Sequence, residues 1–391
     1  MTASESGPRL LYFSTAATGG LADYAREQAN ALARCGIEVD LLTTASFPAR
    51  ADDGFRLWPE LTEKASGGSR WSGRLASIDH ILGNHGRLAR FVEGRAYRHV
   101  LMGAYAEYLA PLWCGPLLRL ARRGVVWGAV VHDPMRDFQV GPRWWHRRSI
   151  ASAYSFLREA FVHEPVTLDT VRPTPQLRTS VIPHGPYVFP PATKSRDEAR
   201  REWGIPDAAQ VWLSFGHVRN GKNLDLAIRA LARFPEAFLV VAGKEQSGGQ
   251  KPVAFYRELA RQSGVADRCV WLNRFIAPEE VGNLFVASDL VLLTYSGQFR
   301  SASGVLNAAV AFRKPCVASG GQGNLRTMVA RYDLGIWIEP DQLEAFVAGV
   351  QRWQSAPPVP RWEAYEAENS WERNAEIVRE RMFAPHEAFL S

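Results

Sequence analysis

The chain has 391 residues, of which 46% are hydrophobic and 22% charged, as in a soluble protein with two or three packed domains. No apolar run approaches the roughly 20 residues that span a bilayer, and the N-terminus lacks the basic and apolar regions of a signal peptide. The four cysteines are scattered and form no CxxC or Cys/His cluster, which argues against a disulfide framework or a structural zinc site. These features predict a cytoplasmic protein.

The net charge of +6 is unevenly distributed along the chain. Residues 86–148 contain 11 arginines and 4 acidic residues, a local excess of +7. Such a segment is either a solvated arginine-rich surface or a binding face for an anionic substrate or an anionic membrane. No nucleic-acid-binding motif accompanies the charge, so we do not expect nucleic acid as a partner.

The first elements in chain order form a βαβ unit. An apolar strand at Arg9–Ser14 leads through the small-residue loop Thr15–Gly20 into a helix at Leu21–Arg34, and a second strand follows at Ile37–Thr43. The loop lies at the carboxyl edge of a predicted parallel sheet, where open α/β sheets bind ligands. It lacks GxGxxG, so it is not a dinucleotide-binding fingerprint.

The same alternation continues to about residue 186, where the first domain is predicted to end. Its further predicted elements are a short strand near Phe55–Trp58, a mobile loop at Lys64–Gly73, helices at Arg74–Val92 and Ala106–Arg123, and strands at Arg98–Met102, Val125–Val131 and Thr179–Pro183. The Pro-rich segment Tyr187–Arg196 has no periodicity and is typical of a domain boundary.

Two features of this first domain are candidates for function. His132 follows the strand Val125–Val131 and precedes Asp133-Pro134, so it either acts at the ligand-binding edge of the sheet or caps the next turn. The segment Gly141–Arg148, GPRWWHRR, begins a helix predicted to run through Leu157. Its tryptophans either dock at a membrane interface, with the arginines on headgroups, or pack in the core beside a solvated arginine face.

Strands and helices alternate again beyond the boundary, which predicts a second parallel, doubly wound domain over residues 187–360. Its predicted strands are Val211–Phe215, Phe238–Ala242, Val270–Leu272, Leu290–Leu293, Cys316–Ser319 and Gly335–Ile338, and its helices are Leu224–Phe234, Val253–Ser263, Pro278–Ala287, one from Gly304, and Asp341–Trp353. A single long amphipathic helix is predicted at Arg361–Met382.

Three loops at successive strand ends of this domain carry residues that suit phosphate groups. Ser301 or Ser303 is suited to cap the helix that begins at Gly304. The backbone N–H groups at the start of this helix either are satisfied by that cap alone or bind an anion. Arg219 and Lys222 lie in the glycine-rich loop GHVRNGK, and Gly243-Lys244 follows the next strand. Together these loops predict a diphosphate site.

Several of these segments, in this order, resemble motifs of the family 4 glycosyltransferases. The matching segments are Thr18–Gly20, Gly36–Val39, Val181–Gly185, Gly216–Asn223, Ser303–Leu306 and Ala311–Ser319. The resemblance implies the α/β GT-B fold, in which two Rossmann-like doubly wound domains face a cleft, with the last helix crossing back to the first domain. It also implies a retaining transferase that uses a nucleotide-diphosphate sugar and needs no metal ion or other cofactor.

The resemblance also implies roles for individual residues. His132, Arg219 and Lys222 would be catalytic. The donor-binding residues would be Gly19, Gly20, Gly216, Gly243, Lys244, Phe275, Ser303, Gly304, Val305 and Asn307. The acceptor would be a glycan or a lipid-linked glycan of bacterial polysaccharide or glycoconjugate synthesis, and Arg143, Trp144, Trp145, Arg147 and Arg148 would form a membrane or acceptor patch on the inner face of the membrane.

The chain departs from the family at one motif. Phe299 and Asn307 occupy the two positions of a Glu-x7-Glu pair, whose first glutamate usually contacts the donor sugar and whose second usually holds the ribose. An asparagine amide can still hydrogen-bond to ribose hydroxyls, but a phenylalanine ring cannot replace a carboxylate. Two alternatives stay open. The departure supports a sugar-nucleotide-binding pseudo-enzyme that partners an active transferase, whereas it weighs against the second alternative, a nucleotide-sugar epimerase on the same fold.

Overall fold

The computed structural model describes residues 7–63, 70–104, 107–132, 134, 139, 141–186, 189–246, 249–300 and 303–385, and for residues 70–77 and 79 it describes the backbone alone. Ser301, Asp133 and the first six residues of the predicted Lys64–Gly73 loop lie outside these ranges. The chain divides into two compact units, residues 1–185 with 369–391 and residues 186–368.

The N-terminal unit is a seven-stranded sheet with helices on both faces. Its strands are β1 (Arg9–Ser14), β2 (Glu38–Thr44), β3 (Arg56–Leu61), β4 (His99–Ala104), β5 (Val126–Val130), β6 (Glu159–Val162) and β7 (Arg178–Val181). Its helices are α1 (Gly20–Arg34), α2 (Arg70–Gly94), α3 (Ala110–Arg122) and α4 (Arg143–Tyr154). The strands are parallel and lie in the order β3-β2-β1-β4-β5-β6-β7.

The C-terminal unit repeats this architecture with six parallel strands. They are β8 (Gln210–Phe215), β9 (Ala237–Ala242), β10 (Cys269–Leu272), β11 (Leu290–Thr294), β12 (Cys316–Ser319) and β13 (Gly335–Trp337), in the order β10-β9-β8-β11-β12-β13. The helices are α5 (Arg196–Glu202), α6 (Leu224–Leu231), α7 (Val253–Gln262), α8 (Pro278–Ala287), α9 (Gly304–Ala311), α10 (Asn324–Arg331), α11 (Leu343–Ser355) and α12 (Trp362–Glu368). A last helix, α13 (Trp371–Phe383), belongs to the N-terminal unit.

Each sheet is buried on both faces because helices cover both of them, and successive side chains of a strand point to opposite faces. In β1, Leu11 and Phe13 pack into one hydrophobic cluster, and Leu10 and Tyr12 pack into another. Strand β8 does the same in the C-terminal unit, where Trp212 packs into a different cluster from its two neighbours in the strand. Near-continuous apolar strands of this kind are typical of all-parallel sheets, which is why the sequence pattern identified most of them.

Several predicted elements need correction. Residues 70–73 belong to α2 rather than to a mobile loop, and the predicted helix Arg361–Met382 is two helices. The break falls at Asn369-Ser370, where the Ser370 hydroxyl accepts a hydrogen bond from the Arg373 backbone N–H and caps α13. Strand β6 and helices α5 and α10 are additional elements that were not predicted from the sequence. No helix in the described part of the chain is long and apolar enough to cross a membrane.

A buried network of hydrogen bonds holds α13 within the N-terminal unit. The Asn374 amide nitrogen donates to the Pro183 carbonyl over 2.7 Å and to the Tyr24 hydroxyl over 3.1 Å. Its oxygen accepts from Gln28 over 2.7 Å, and Gln28 in turn accepts from the Tyr12 hydroxyl over 2.8 Å. Because a buried polar group that loses its partner costs about 1–3 kcal/mol, this network specifies where α13 docks.

Strand β6 begins with a carboxylate in the core. Glu159 is fully buried, and neither of its oxygens makes a hydrogen bond to a described residue with good geometry. Burial raises the pKa of Glu159 to about 7, against the opposing effect of the Arg178 and Arg381 cations. The group is therefore largely protonated in the folded protein at acidic pH and must ionise in a poorly solvated place at alkaline pH.

We predict that Glu159→Gln removes a pH-dependent loss of stability. A carboxyl whose pKa is raised by folding stabilises the protein fully below its unfolded pKa of 4.5, and that contribution is lost as pH rises through about 7. Between pH 5 and pH 9 the wild type should lose roughly 3 kcal/mol more unfolding free energy than the variant does. Urea denaturation at both pH values measures this difference, and parallel losses in the two proteins would contradict it.

Candidate active site

The C-terminal sheet reverses its strand order between β8 and β11, and this is where open α/β sheets bind ligands. The loop after β8 brings Lys222 back over the strand end, where its ammonium donates a hydrogen bond to the Phe215 carbonyl. Gly216 has a φ of +88°, and a Cβ there would lie 3.2 Å from the Lys222 Nζ. Glycine thus leaves room for the ammonium group.

Lys222 is a cation in a poorly solvated place. Burial, together with the positive charge of Arg219, lowers the pKa of Lys222 to about 7. Neither side chain forms an ion pair with any carboxylate in the described ranges, and the guanidinium carbon of Arg219 lies 5.9 Å from the centroid of the Phe299 ring. Two neighbouring cations without a counter-ion make this loop attractive to an anion.

The loop after β11 supports a helix N-terminus next to these cations. Ser303 caps α9, because its hydroxyl accepts from the Leu306 backbone N–H over 3.2 Å. The Tyr295 hydroxyl lies 2.9 Å from the same Ser303 oxygen, and the Phe299 ring stacks on the Tyr295 ring at 3.9 Å between centroids. The cap predicted from sequence is therefore present, and an aromatic pair stands beside it.

The N-terminus of α9 lies close to the β8 loop. A Cβ at Gly216 would lie 3.8 Å from a Val305 methyl group as well as near Lys222. Gly304 and Val305 are the first two residues of α9, and the backbone N–H groups of a first turn have no partner within the helix. The structure thus brings together Gly216, Lys222, Ser303, Gly304 and Val305.

Asn307 lies deeper in the same helix and faces the protein interior. It is 3% exposed, and its Oδ1 accepts a hydrogen bond from the Tyr365 hydroxyl over 2.8 Å. Tyr365 belongs to α12, so the residue in the second glutamate position helps to fix the end of the C-terminal unit.

The other predicted donor residues lie at the ends of the next strands. Gly243 follows β9 with a φ of +149°, and a Cβ there would collide with the Gly216 carbonyl at 2.3 Å. This close approach packs the β8 and β9 loops together and requires glycine. Lys244 is exposed, and Phe275, after β10, is 73% exposed and offers an apolar face to solvent.

In the N-terminal unit the loop between β1 and α1 is open. Gly19 has a φ of +79° and begins α1 without a side-chain cap, and no atom lies within 4 Å of a Cβ placed there. Gly19 and Gly20 are both exposed, so a ligand can approach the backbone. This loop flanks the point where the strand order of the N-terminal sheet reverses, between β1 and β4.

His132 lies at the carboxyl end of β5 within a group of aromatic rings. Its Nε2 is 3.0 Å from the Gly103 carbonyl, and burial lowers its pKa, so the neutral ring donates from Nε2 and keeps Nδ1 as an acceptor. His163 and His184 follow β6 and β7, and all three imidazoles pack around Tyr24 at 4.7–5.4 Å between centroids. Burial also lowers the pKa of His184 to about 4.

His163 was not predicted as a site residue, because strand β6 was not recognised. Had Glu159–Val162 been assigned as a strand, a histidine directly after it would have been expected beside His132. Within the described residues, no group of three or more histidine, cysteine or acidic side chains has the geometry to hold a metal ion.

The arginine and tryptophan patch lies on one face of α4. Arg143, Trp144, Arg147 and Arg148 are exposed, and Trp144 is 65% exposed. Trp145 is partly buried and meets Trp144 edge to face at 5.7 Å. The interpretation that both tryptophans pack in the core is therefore wrong for Trp144, whose side chain lies in solvent among three arginines.

Comparisons with known proteins show which proteins this chain resembles. Residues 195–377 match the family model described as glycosyl transferases group 1. A D-inositol 3-phosphate glycosyltransferase of Mycolicibacterium smegmatis is 31% identical over 161 residues, which are 39% of this chain. The match spans only 36% of the length of that relative.

Solved structures share the fold of the whole chain. A glycosyltransferase from Rickettsia africae superposes with a TM-score of 0.67 at 15% identity, covering 97% of this chain and 100% of that one. An Anabaena protein solved in complex with UDP-glucose gives a TM-score of 0.62 at 14% identity, covering 96% of this chain and 95% of that one. The chain thus has the GT-B fold, and its residues 195–377 resemble the group 1 glycosyltransferases.

Proposed function

We propose that the protein is a retaining glycosyltransferase that moves a sugar from a nucleotide-diphosphate sugar to a glycan or lipid-linked acceptor in bacterial polysaccharide or glycoconjugate synthesis. The observation that carries the proposal is the meeting of Lys222, Arg219 and the N-terminus of α9 at the switch point of the C-terminal sheet. The Anabaena complex with UDP-glucose supports a sugar nucleotide as the donor.

The proposed chemistry is stabilisation of a leaving nucleoside diphosphate. As the bond between the sugar and the distal phosphate breaks, negative charge grows on the phosphate oxygens. Lys222 would meet this charge as a point cation and Arg219 through a planar fork, while the N–H groups of Gly304 and Val305 would bind the distal phosphate. This chemistry needs no protein nucleophile, and the proposal includes no metal ion.

The remaining predicted residues take their places in this proposal. Gly243 and Lys244 would border the phosphates, and Phe275 would present its exposed ring to the nucleobase. Asn307 faces the interior and accepts a hydrogen bond from Tyr365, so in this proposal it holds α9 in place instead of contacting the ribose. In the N-terminal unit, Gly19 and Gly20 have no side chain, so the sugar could come close to the backbone of the loop between β1 and α1. The Nδ1 of His132 would accept a hydrogen bond from a sugar hydroxyl.

We predict that Lys222→Ala weakens the binding of nucleoside diphosphates by roughly tenfold to a hundredfold, the value of one or two charge-assisted hydrogen bonds, and lowers turnover by about a hundredfold or more. Because the pKa of Lys222 is about 7, wild-type affinity should fall as pH rises from 6 to 8. The variant should show no such fall. Thermal shift and calorimetry with UDP, GDP, ADP and TDP measure both effects.

Lys194→Ala is the matched control, since Lys194 is an exposed lysine of the same unit that pairs with Glu202. It should bind and turn over like the wild type. Unchanged affinity in Lys222→Ala would remove Lys222 from the phosphate site. Tight binding of a sugar nucleotide by the wild type without any transfer or hydrolysis would favour a pseudo-enzyme.

We further propose that α4 places the protein on the anionic inner face of a membrane. The support is charge and exposure: Trp144 extends into solvent with Arg143, Arg147 and Arg148 on the same helical face. Each arginine near an anionic surface contributes about 1 kcal/mol, and a tryptophan ring favours the interfacial region. Such a location suits a lipid-linked acceptor.

We predict that a Trp144→Ala/Trp145→Ala variant floats with anionic phosphatidylglycerol vesicles several-fold less than the wild type, because the interfacial rings are lost. Neither protein should float with neutral phosphatidylcholine vesicles, and salt should reduce the binding of both. Val359→Ala, which changes an exposed apolar residue elsewhere, is the control. Equal flotation of the double variant and wild type would exclude α4 as the membrane contact.

A further inference from the structure

Asp341, in the segment after β13, adopts a backbone conformation that aspartate seldom takes. Its φ is +60°, in the left-handed region, although the residue is exposed. Both oxygens of its side chain are used. Oδ1 accepts from the Asn223 amide over 2.8 Å, and Oδ2 accepts from the Gly297 backbone N–H over 2.8 Å.

These two donors belong to the loops that carry the cations and the aromatic pair. Asn223 directly follows Lys222 and itself has a φ of +51°. Gly297 lies between Tyr295 and Phe299 in the loop after β11. The carboxylate of Asp341 is therefore a bridge between the loop after β8 and the loop after β11, made from a third segment.

The same two loops are also joined directly. The Ser296 N–H donates to the Gly221 carbonyl over 2.9 Å, and the Thr294 hydroxyl donates to the Lys222 carbonyl over 3.1 Å. These two bonds fix the backbone carbonyls of Gly221 and Lys222. The two bonds of Asp341 instead fix Asn223, which follows Lys222, and Gly297 in the loop after β11. Without Asp341, Asn223 and Gly297 would each lose a charge-assisted partner.

We propose that Asp341 is a positioning residue that sets the spacing of the β8 and β11 loops for a diphosphate. The inference rests on the proposed function, since it concerns the same donor site. Asp341 does not touch the phosphates in this account. It acts through Asn223 and Gly297, which place Lys222, Arg219 and the segment leading to α9.

The experiment compares Asp341→Asn and Asp341→Gly with a matched control, Asp333→Gly. Asp333 is also an exposed aspartate with a φ of +56°, and its Oδ2 accepts from the backbone N–H of Val359, a residue of neither loop. Asparagine keeps one acceptor and tolerates the left-handed backbone, whereas glycine removes both acceptors and relieves the backbone.

The readout is the ratio of the dissociation constant for a nucleoside to that for its diphosphate, measured by calorimetry with the full chain. This ratio isolates the contribution of the phosphates. We expect it to fall about tenfold in Asp341→Gly, less in Asp341→Asn, and not at all in Asp333→Gly. Melting temperatures of the unliganded variants should stay close to that of the wild type.

The outcomes separate this inference from the function on which it rests. A wild type that binds diphosphate no better than nucleoside would overturn the proposed function. A wild type that prefers diphosphate, with the ratio unchanged in both Asp341 variants, would overturn the positioning role alone. The positioning role would equally be overturned if the variants lowered the melting temperature but kept the ratio, since Asp341 would then serve only stability.

Discussion

The direction of the strands determines where chemistry can take place in this protein. All strands of each sheet are parallel, so their carboxyl ends lie on one edge. The residues that follow those ends are gathered there even though they are far apart in sequence. Lys222 follows β8 and Ser303 follows β11, yet Gly216 lies near both Lys222 and Val305 because β8 and β11 are neighbours in the sheet. In the N-terminal unit, the same constraint gathers His132, His163 and His184.

This arrangement has an energetic cost in the unliganded protein. Burial removes Lys222 from much of its solvation and the Arg219 charge lies nearby, which is why the pKa of Lys222 falls to about 7. The ammonium donates to a carbonyl and not to a carboxylate. A carboxylate beside it would stabilise the unliganded fold, but it would also compete with a phosphate for the same cation. An anionic ligand that binds here would therefore supply the stabilisation that a counter-ion would otherwise provide.

The sequence predicted the fold class and most strands because apolar runs between polar loops are a strong signal for buried parallel strands. It failed where a charged side chain is buried. Strand β6 was missed because it starts with the buried Glu159, and α5 was missed because its inward side includes Arg200, which is fully buried and pairs with Asp289 at 2.7 Å. Helix α10 was missed for a different reason: only Leu325 and Val329 are buried on it, and two apolar positions are too few to reveal a helical periodicity.

The candidate site, like the fold, could be predicted from sequence where its residues have a local pattern. Glycines, cations and a capping serine at strand ends have local signatures, so the residues around Lys222 and Ser303 could be identified from sequence. Asp341 has none, because its role depends on two hydrogen bonds to partners 44 and 118 residues away. Only the folded arrangement shows that an aspartate in a left-handed conformation joins the two loops.

Phe299, in the first position of the expected glutamate pair, would affect the diphosphate and the sugar of a bound donor differently. Phe299 stacks on Tyr295, whose hydroxyl contacts the serine that caps α9, so the ring supports the helix N-terminus that would bind a phosphate. A carboxylate in its place would lie near Arg219 and offset its charge. Replacing that carboxylate by a ring removes an acceptor for sugar hydroxyls and leaves the positive potential undiminished. On the proposed function, recognition of the diphosphate would therefore be separable from recognition of the sugar, and phenylalanine at position 299 would weaken only the second.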